Sequence, residues 1–555
     1  MNTPRIACSL FIVLAGIAHW LPAQSGEDSL TVNQAQIHSA SGIIGLSFTA
    51  NERDSMITNL QENYQAYKAL RALDIPNEVP PALVFNPVPV GMDLPDGPSR
   101  VEWSAPGEIT VPGNIEDLAY YSVRDLGYLI KTRKISSLEL TRMYLDRLKK
   151  YDKQLQCVIT YNEDLAIAQA KRADTEIATG KYRGPLHGIP YGIKDLFALQ
   201  GYKTTWGAIP YKEQVFDYDA TVVKKLEDAG AVLIAKLTLG ALAWGDVWFG
   251  GQTKNPWNME EGSSGSSAGA AAATAAGLVP FAIGTETWGS IVSPSTRCGT
   301  TGLRPTFGRV SRSGAMALSW SMDKIGPITR NVEDCAIVFN AIYGPDGKDR
   351  SVIDTPFNYS PAVNWDNLQI GYTKSLFAED YPNYKNDSLA LTKMRSLGAE
   401  LVAIELPEFP VEHLSFILDA EAAAAFDDLT RSDRDDLMVR QVQNAWPNVF
   451  RASRLIPAVE YIQANRARTR LIQKMAELME DIDVYLCPTF GGDNLLLTNL
   501  TGHPCVVLPN GFEGDGTPQS ITFTGRLFDE GTLLAVAKQY QNATDFHRKH
   551  PPQFP

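Results

Sequence analysis

The chain has 555 residues, 44% of them hydrophobic and 20% charged, a balance that excludes low-complexity, collagen-like and disordered classes. Its formal charge of −13, from 50 basic and 63 acidic residues, argues against affinity gained by neutralising phosphates, so no nucleic-acid partner is expected. The length suffices for a large buried core.

Residues 1–23 read as a secretory signal peptide. Arg5 precedes an apolar stretch from Ile6 to Leu21, and Pro22-Ala23-Gln24 supplies a small residue near the exit. The stretch is short of the ~20 residues of a spanning helix. Export to a periplasmic or extracellular location is therefore expected, with no stable membrane insertion after cleavage. Six cysteines are scattered without a C-x-x-C pair and the seven histidines lack paired spacing, so neither a disulfide framework nor a metal site is indicated.

Residues 24–114 form an N-terminal extension. Thr49-x-x-Glu52 has capping-box form. Met56, Leu60, Tyr64, Tyr67 and Leu70 follow at helical spacing. Nine prolines between Pro76 and Pro112 then predict an extended strap. The main domain spans residues 115–545, with 546–555 as a tail. Ser122-x-x-Asp125 and Ser136-x-x-Glu139 each open a helix, the second carrying Leu140, Tyr144, Leu148 and Tyr151 on one face. A helix over 222–229 stops at Gly230, and 231–237 follows as a buried strand. Such alternation predicts an α/β domain around a parallel or mixed sheet.

Chemistry concentrates in residues 262–294. An alanine-rich helix ends at Gly277, and a short strand over 279–283 empties into Gly284-Thr-Glu-Thr-Trp-Gly-Ser290. A serine delivered at a strand end by a glycine-containing turn is surrounded by backbone N–H groups able to hold an oxyanion. Gly265-Ser-Ser267-Ala-Gly269 matches the G-x-S-x-G elbow, but no buried strand precedes it, so that match reads as accidental. Upstream, Ile189, Tyr191 and Ile193 lead into Lys194 at the end of a buried strand. Burial lowers a lysine pKa and fits it to act as a base toward serine.

Together these segments resemble the amidase signature family. The likeness includes Gly184-Pro-Leu-His-Gly-Ile-Pro190, Asn255-Pro-Trp257, Gly302-Leu-Arg-Pro-Thr-Phe-Gly308, Gly326-Pro-Ile-Thr-Arg330, Asp483-Val-Tyr-Leu-Cys-Pro-Thr489 and Asn499-Leu-Thr-Gly-His-Pro504. The resemblance implies one α/β domain around a large twisted mixed sheet and a Ser–cis-Ser–Lys triad. Lys194 maps onto the lysine and Ser290 onto the nucleophile. Ser266, 24 positions before Ser290, is preferred to Ser263 as the middle serine. It implies hydrolysis of a small-molecule amide through an acyl-serine, an oxyanion hole from the N–H groups of Thr287, Trp288 and Gly289, and no cofactor.

Three departures stand out. Trp288 occupies a position usually glycine in the family. Glu286 replaces an aspartate and Val292 an arginine, and in the family those two positions pair. Losing both together implies a repacked loop, with Trp288 lining the acyl pocket. The leading expectation is an exported amidase. The alternatives are the amidotransferase A-type subunit, a cytoplasmic enzyme with partner subunits, and an amidase-fold binding protein that lost catalysis through Trp288.

Overall fold

A computed structural model describes residues 31–73 and 75–555; the signal segment 1–23 lies outside the described residues. The chain divides between Ile75 and Pro76 into two units.

The first unit contains α1 (Gln34–Ile43) and α2 (Ala50–Arg71), each opened by a reciprocal capping box, from Asn33 with Gln36 and from Thr49 with Glu52. The sequence stripe on α2 meets little cover. Tyr67 and Leu70 are exposed and no residue of the helix is fully buried, because a two-helix hairpin has too little mass to enclose an apolar face.

The second unit takes in the Pro-rich strap as well as the α/β domain. The strap from Pro76 to Pro112 forms no helix. Val101 bridges Tyr359, with Glu102 N–H donating to the Tyr359 carbonyl at 2.8 Å and Tyr359 N–H to that of Arg100 at 2.9 Å. Asn77 anchors its start: its side chain accepts from Ala317 N–H at 2.7 Å and donates to the carbonyls of Ala317 and Ala425 at 2.9 and 3.2 Å.

Eleven strands build the sheet: β1 (Val158–Tyr161), β2 (Pro190–Lys194), β3 (Val232–Leu237), β4 (Ala282–Glu286), β5 (Thr301–Arg304), β6 (Lys324–Thr329), β7 (Ile370–Thr373), β8 (Leu401–Ile404), β9 (Val484–Pro488), β10 (Cys505–Phe512) and β11 (Pro518–Gly525). Their spatial order is β1-β3-β2-β4-β6-β5-β10-β11-β9-β7-β8. β2 runs parallel to β3 and β4, and β7 parallel to β8 and β9, whereas the strands between are antiparallel. The expected mixed α/β sheet is present. Its centre is covered on both faces, so β2, β3, β4 and β6 are buried throughout, as their near-continuous apolar sequences require.

Among the helices, α3 (Val123–Lys131) starts from half a capping box. Ser122 accepts from Asp125 N–H at 3.0 Å, but the Asp125 carboxylate pairs with Arg124 at 3.0 Å instead of returning to Ser122. α4 (Ser137–Leu155) has the full box and buries Leu140, Tyr144, Leu148 and Tyr151. α5 (Thr221–Asp228) precedes β3, and the wholly buried α6 (Ala268–Ala275) precedes β4. The strand expected over 279–283 is displaced to Ala282–Glu286. Pro280 supplies no N–H, and the ladder begins where Ala282 meets Ile328 of β6. Beyond lie α7 (Val292–Cys298), α8 (Phe416–Ala425) and α9 (Asn494–Thr501). Among the described residues no helix is long and apolar enough to cross a membrane.

Candidate active site

β2 and β4 are parallel neighbours, with Ile193 beside Ile283, and both deliver chemistry at their C-terminal ends. β2 ends on Lys194, which is fully buried. Its ammonium nitrogen lies 2.7 Å from Ser266 Oγ, 2.8 Å from Thr285 Oγ1 and 3.2 Å from Ser267 Oγ. All three are hydroxyls. Lys236, another buried lysine nearby, has instead the Asp195 carboxylate at 2.8 Å. With no carboxylate in contact, desolvation dominates at Lys194. Burial lowers its pKa to about 7, against the weaker opposing pull of the Asp323 and Glu286 carboxylates.

The Gly265–Ser266 peptide is cis. Gly265 is required there because a Cβ would stand 2.0 Å from the Gly245 carbonyl oxygen. Ser267, the serine of the elbow-like motif, is fully buried. Its hydroxyl donates to the Thr285 carbonyl at 3.1 Å and accepts from Thr285 N–H at 3.2 Å. It braces Lys194 against β4. Ser263, the competing middle serine, donates to the Ser264 carbonyl at 2.9 Å and makes no contact with Lys194.

Ser290 follows the turn after β4. Its carbonyl accepts from Ser267 N–H at 3.2 Å, which ties its loop to the lysine–serine pair. Ser290 is half-buried, and among the described residues its hydroxyl has no hydrogen-bond partner. The N–H groups of Thr287, Trp288, Gly289 and Ser290 likewise meet no backbone acceptor among the described residues. The turn places its left-handed conformation at Gly289, φ +91°, and not at Trp288. A tryptophan is therefore tolerated where the family usually has glycine. Its side chain is 45% exposed.

The loop is held from below by a buried carboxylate. Glu286 Oε2 accepts the N–H groups of Ile291 and Val292 at 2.8 and 2.9 Å, capping α7 directly after Ser290. Its Oε1 accepts from Arg304 Nη1 at 2.8 Å and from Asn499 Nδ2 at 2.9 Å. Burial alone would raise the Glu286 pKa, but Arg304 and these donors hold it below the usual carboxylate value. Glu286 thus has a cation partner, Arg304 of β5, although position 292 carries a valine. Thr287 donates from Oγ1 to Asp323 at 2.6 Å, and Asp323 also accepts the N–H groups of Leu318 and Ser319. Thr285 and Thr287 open onto a cavity of about 290 Å³, whose wall includes Leu196, Met316 and, from the strap, Glu78 and Pro80.

Sequence reasoning placed Lys194, Ser266 and Ser290 and left out Thr285, Asp323, Arg304 and Asn499. The last two lie inside motifs quoted for the family resemblance. Only three-dimensional contact shows that they converge on Glu286.

A buried lysine of lowered pKa against a serine pair, beside a glycine turn whose N–H groups meet no backbone acceptor among the described residues, is the arrangement that serine–lysine acyl-transfer chemistry requires. The amidase family model matches residues 139–497, and the chain belongs to the amidase signature family. Two similar relatives are the glutamyl-tRNA(Gln) amidotransferase subunits A of Methylococcus capsulatus and a Roseiflexus species. The first is 34% identical, with 78% of this chain and 98% of the relative covered. The second is 36% identical, covering 75% and 95%. The native peptide amidase of Stenotrophomonas maltophilia superposes with a TM-score of 0.70 at 28% identity, covering 79% of this chain and 99% of that one.

Proposed function

We propose that the protein hydrolyses a carbon–nitrogen amide bond through an acyl-enzyme on Ser290. The observation that carries this reading is the 2.7 Å contact between a buried, hydroxyl-surrounded Lys194 and Ser266. Neutral Lys194 takes the Ser266 proton as Ser266 takes that of Ser290. Ser290 attacks the carbonyl carbon, and the N–H groups of Thr287, Trp288 and Gly289 hold the resulting oxyanion. The proton returns through Ser266 to the leaving nitrogen, the C–N bond breaks, and water releases the acyl group. Treatment with a fluorophosphonate followed by peptide mapping tests this: modification of Ser290 that vanishes in Lys194→Ala is the expected result, and modification of another serine overturns it.

A second reading is an amidotransferase A-type subunit, which would use the same chemistry to release ammonia from glutamine. The named relatives support this reading more directly than they support a free-standing amidase; the peptide amidase likeness supports the latter. The Met1–Ala23 segment supports export, which a subunit of a cytoplasmic complex would not need. N-terminal sequencing of the mature protein, with glutamine and a panel of peptide and aryl amides assayed on the chain alone, separates the two. A processed N-terminus and turnover without partners favours the amidase. An intact N-terminus and glutamine hydrolysis only with partner subunits favours the amidotransferase.

A further inference from the structure

Two ties join the segment that carries Ser266 to the segment that carries Ser290, one on either side of Ser266 in the chain. After it, Ser267 N–H donates to the Ser290 carbonyl at 3.2 Å. Before it, the hydroxyls of Ser264 and Ser293 lie 2.8 Å apart, one donating to the other. The first tie is made by backbone alone, whereas the second needs a hydroxyl at both positions. Ser293 is placed by α7, where its N–H donates to the Gly289 carbonyl at 2.7 Å, in the first turn after the nucleophile. Ser264 is held less comfortably. Its φ is +59°, in the left-handed region where a side chain is strained and glycine is not. Its N–H donates to Asp246 at 3.0 Å and its carbonyl accepts from the Ser263 hydroxyl at 2.9 Å, bonds that a glycine would make equally well. What serine adds over glycine at this position is the hydroxyl and its bond to Ser293.

We infer that Ser264 and Ser293 are positioning residues, whose hydroxyl pair clamps the loop of Ser266 to the helix that follows Ser290 and so sets the distance over which the two serines exchange a proton. The inference rests on the acyl-serine reading above. A residue kept in a strained backbone conformation persists where its surroundings over-determine it, and such residues cluster at functional sites. Ser264 stands two residues before Ser266, and its hydroxyl bonds to the residue three beyond Ser290. Without this bond the loop keeps its Asp246 and Ser263 contacts, and Ser266 keeps Lys194 at 2.7 Å. The step that loosens is therefore the transfer from Ser290 to Ser266, not the one from Ser266 to Lys194.

The test measures the rate of fluorophosphonate labelling at Ser290, together with the melting temperature, in the wild type, Ser264→Gly, Ser293→Ala, the double variant and Ser293→Thr. A misplacement of about 1 Å costs about 100-fold in rate, so a loosened clamp is expected to cost on the order of 10-fold. Ser264→Gly should show that loss while melting no lower than wild type, because glycine relieves the left-handed strain. Ser293→Ala should be slowed to the same extent, and the double variant no further, since the two hydroxyls form one contact. Ser293→Thr keeps a hydroxyl and should label at close to the wild-type rate. A wild-type rate in either single variant overturns the inference, as do losses that multiply in the double variant or a Ser293→Thr protein as slow as Ser293→Ala. A slowed Ser264→Gly protein that also melts below wild type assigns the bond to stability and overturns it too. Should Ser264→Gly fail to fold, Ser293→Ala and its rescue by threonine decide. A wild type that does not label at Ser290 refutes the acyl-serine reading, and this inference with it.

Discussion

The pH dependence of the reaction gives the sharpest test of Lys194. Its pKa falls from an ordinary 10.5 to about 7 because burial disfavours the charged form. Only the neutral amine can accept the Ser266 proton. With a pKa of 7, about half of the enzyme is competent at pH 7 and about a tenth at pH 6, whereas an unshifted lysine would leave only about one molecule in 3,000 competent at pH 7. The expected kcat/KM therefore rises about tenfold between pH 6 and 8 and levels off, measured with a neutral amide whose own ionisation lies outside that range. The same shift makes a stability prediction whose sign is fixed. Between pH 7 and 10.5 the unfolded chain holds a proton at Lys194 that the native state has released, so native stability rises with pH across this window by at most about 5 kcal/mol. Lys194→Met should abolish activity and flatten that part of the stability curve. A rate profile without a limb between pH 6 and 8, or a Lys194→Met protein whose stability keeps the wild-type slope there, would refute the assignment of Lys194 as a neutral base.

Ser290→Ala should remove hydrolysis by at least about 1,000-fold while leaving the melting temperature within a degree or two of wild type, because this hydroxyl has no partner among the described residues; retained turnover would move the nucleophile elsewhere. Trp288→Gly should shift the preference among acyl groups with under about 1 kcal/mol change in stability, since the indole is 45% exposed; an unchanged substrate profile would show that the ring does not line the acyl site. Asn77→Ala should cost about 1–3 kcal/mol in denaturant unfolding, because it strips partners from Ala317 and Ala425; no loss would mean that the strap is not fastened at this point.

What the sequence made legible follows from how locally each feature is encoded. The helix after Ser136 is written in its capping box and its four apolar positions, and all four are buried. Lys194 is legible because the alternating residues before it mark a buried strand that ends on a charge, a combination that costs too much to arise without a use. The edges of β4 were not legible from hydrophobicity alone. Val279 and Phe281 are as apolar as Ile283, and the partner strand decides where the ladder starts. The α2 stripe misled for the opposite reason, since periodicity shows which face is apolar and not whether anything covers it. Arg304 and Asp323 were beyond sequence reasoning because each acts on a residue 18 or 36 positions away through contacts that exist only after β4, β5 and β6 are adjacent.

The same locality bears on which activity the fold serves. Every group proposed to touch the reacting bond comes from the ends of β2 and β4 or from the loops flanking α6, the part of the chain that the family model matches. These elements fix bond-breaking chemistry that an amidase and an amidotransferase subunit would share. The features able to discriminate between them lie outside: the signal-like segment, and the strap that brings Glu78 and Pro80 to the cavity wall. Asn77 makes that wall dependent on the strap, since Ala317, which lines the cavity, has its N–H and carbonyl both satisfied by this one side chain. A fold supplies chemistry at its centre and specificity from what is attached around it. In this protein the residues that decide the substrate are therefore to be sought where Asn77 fastens the strap to the catalytic domain, more than in the triad.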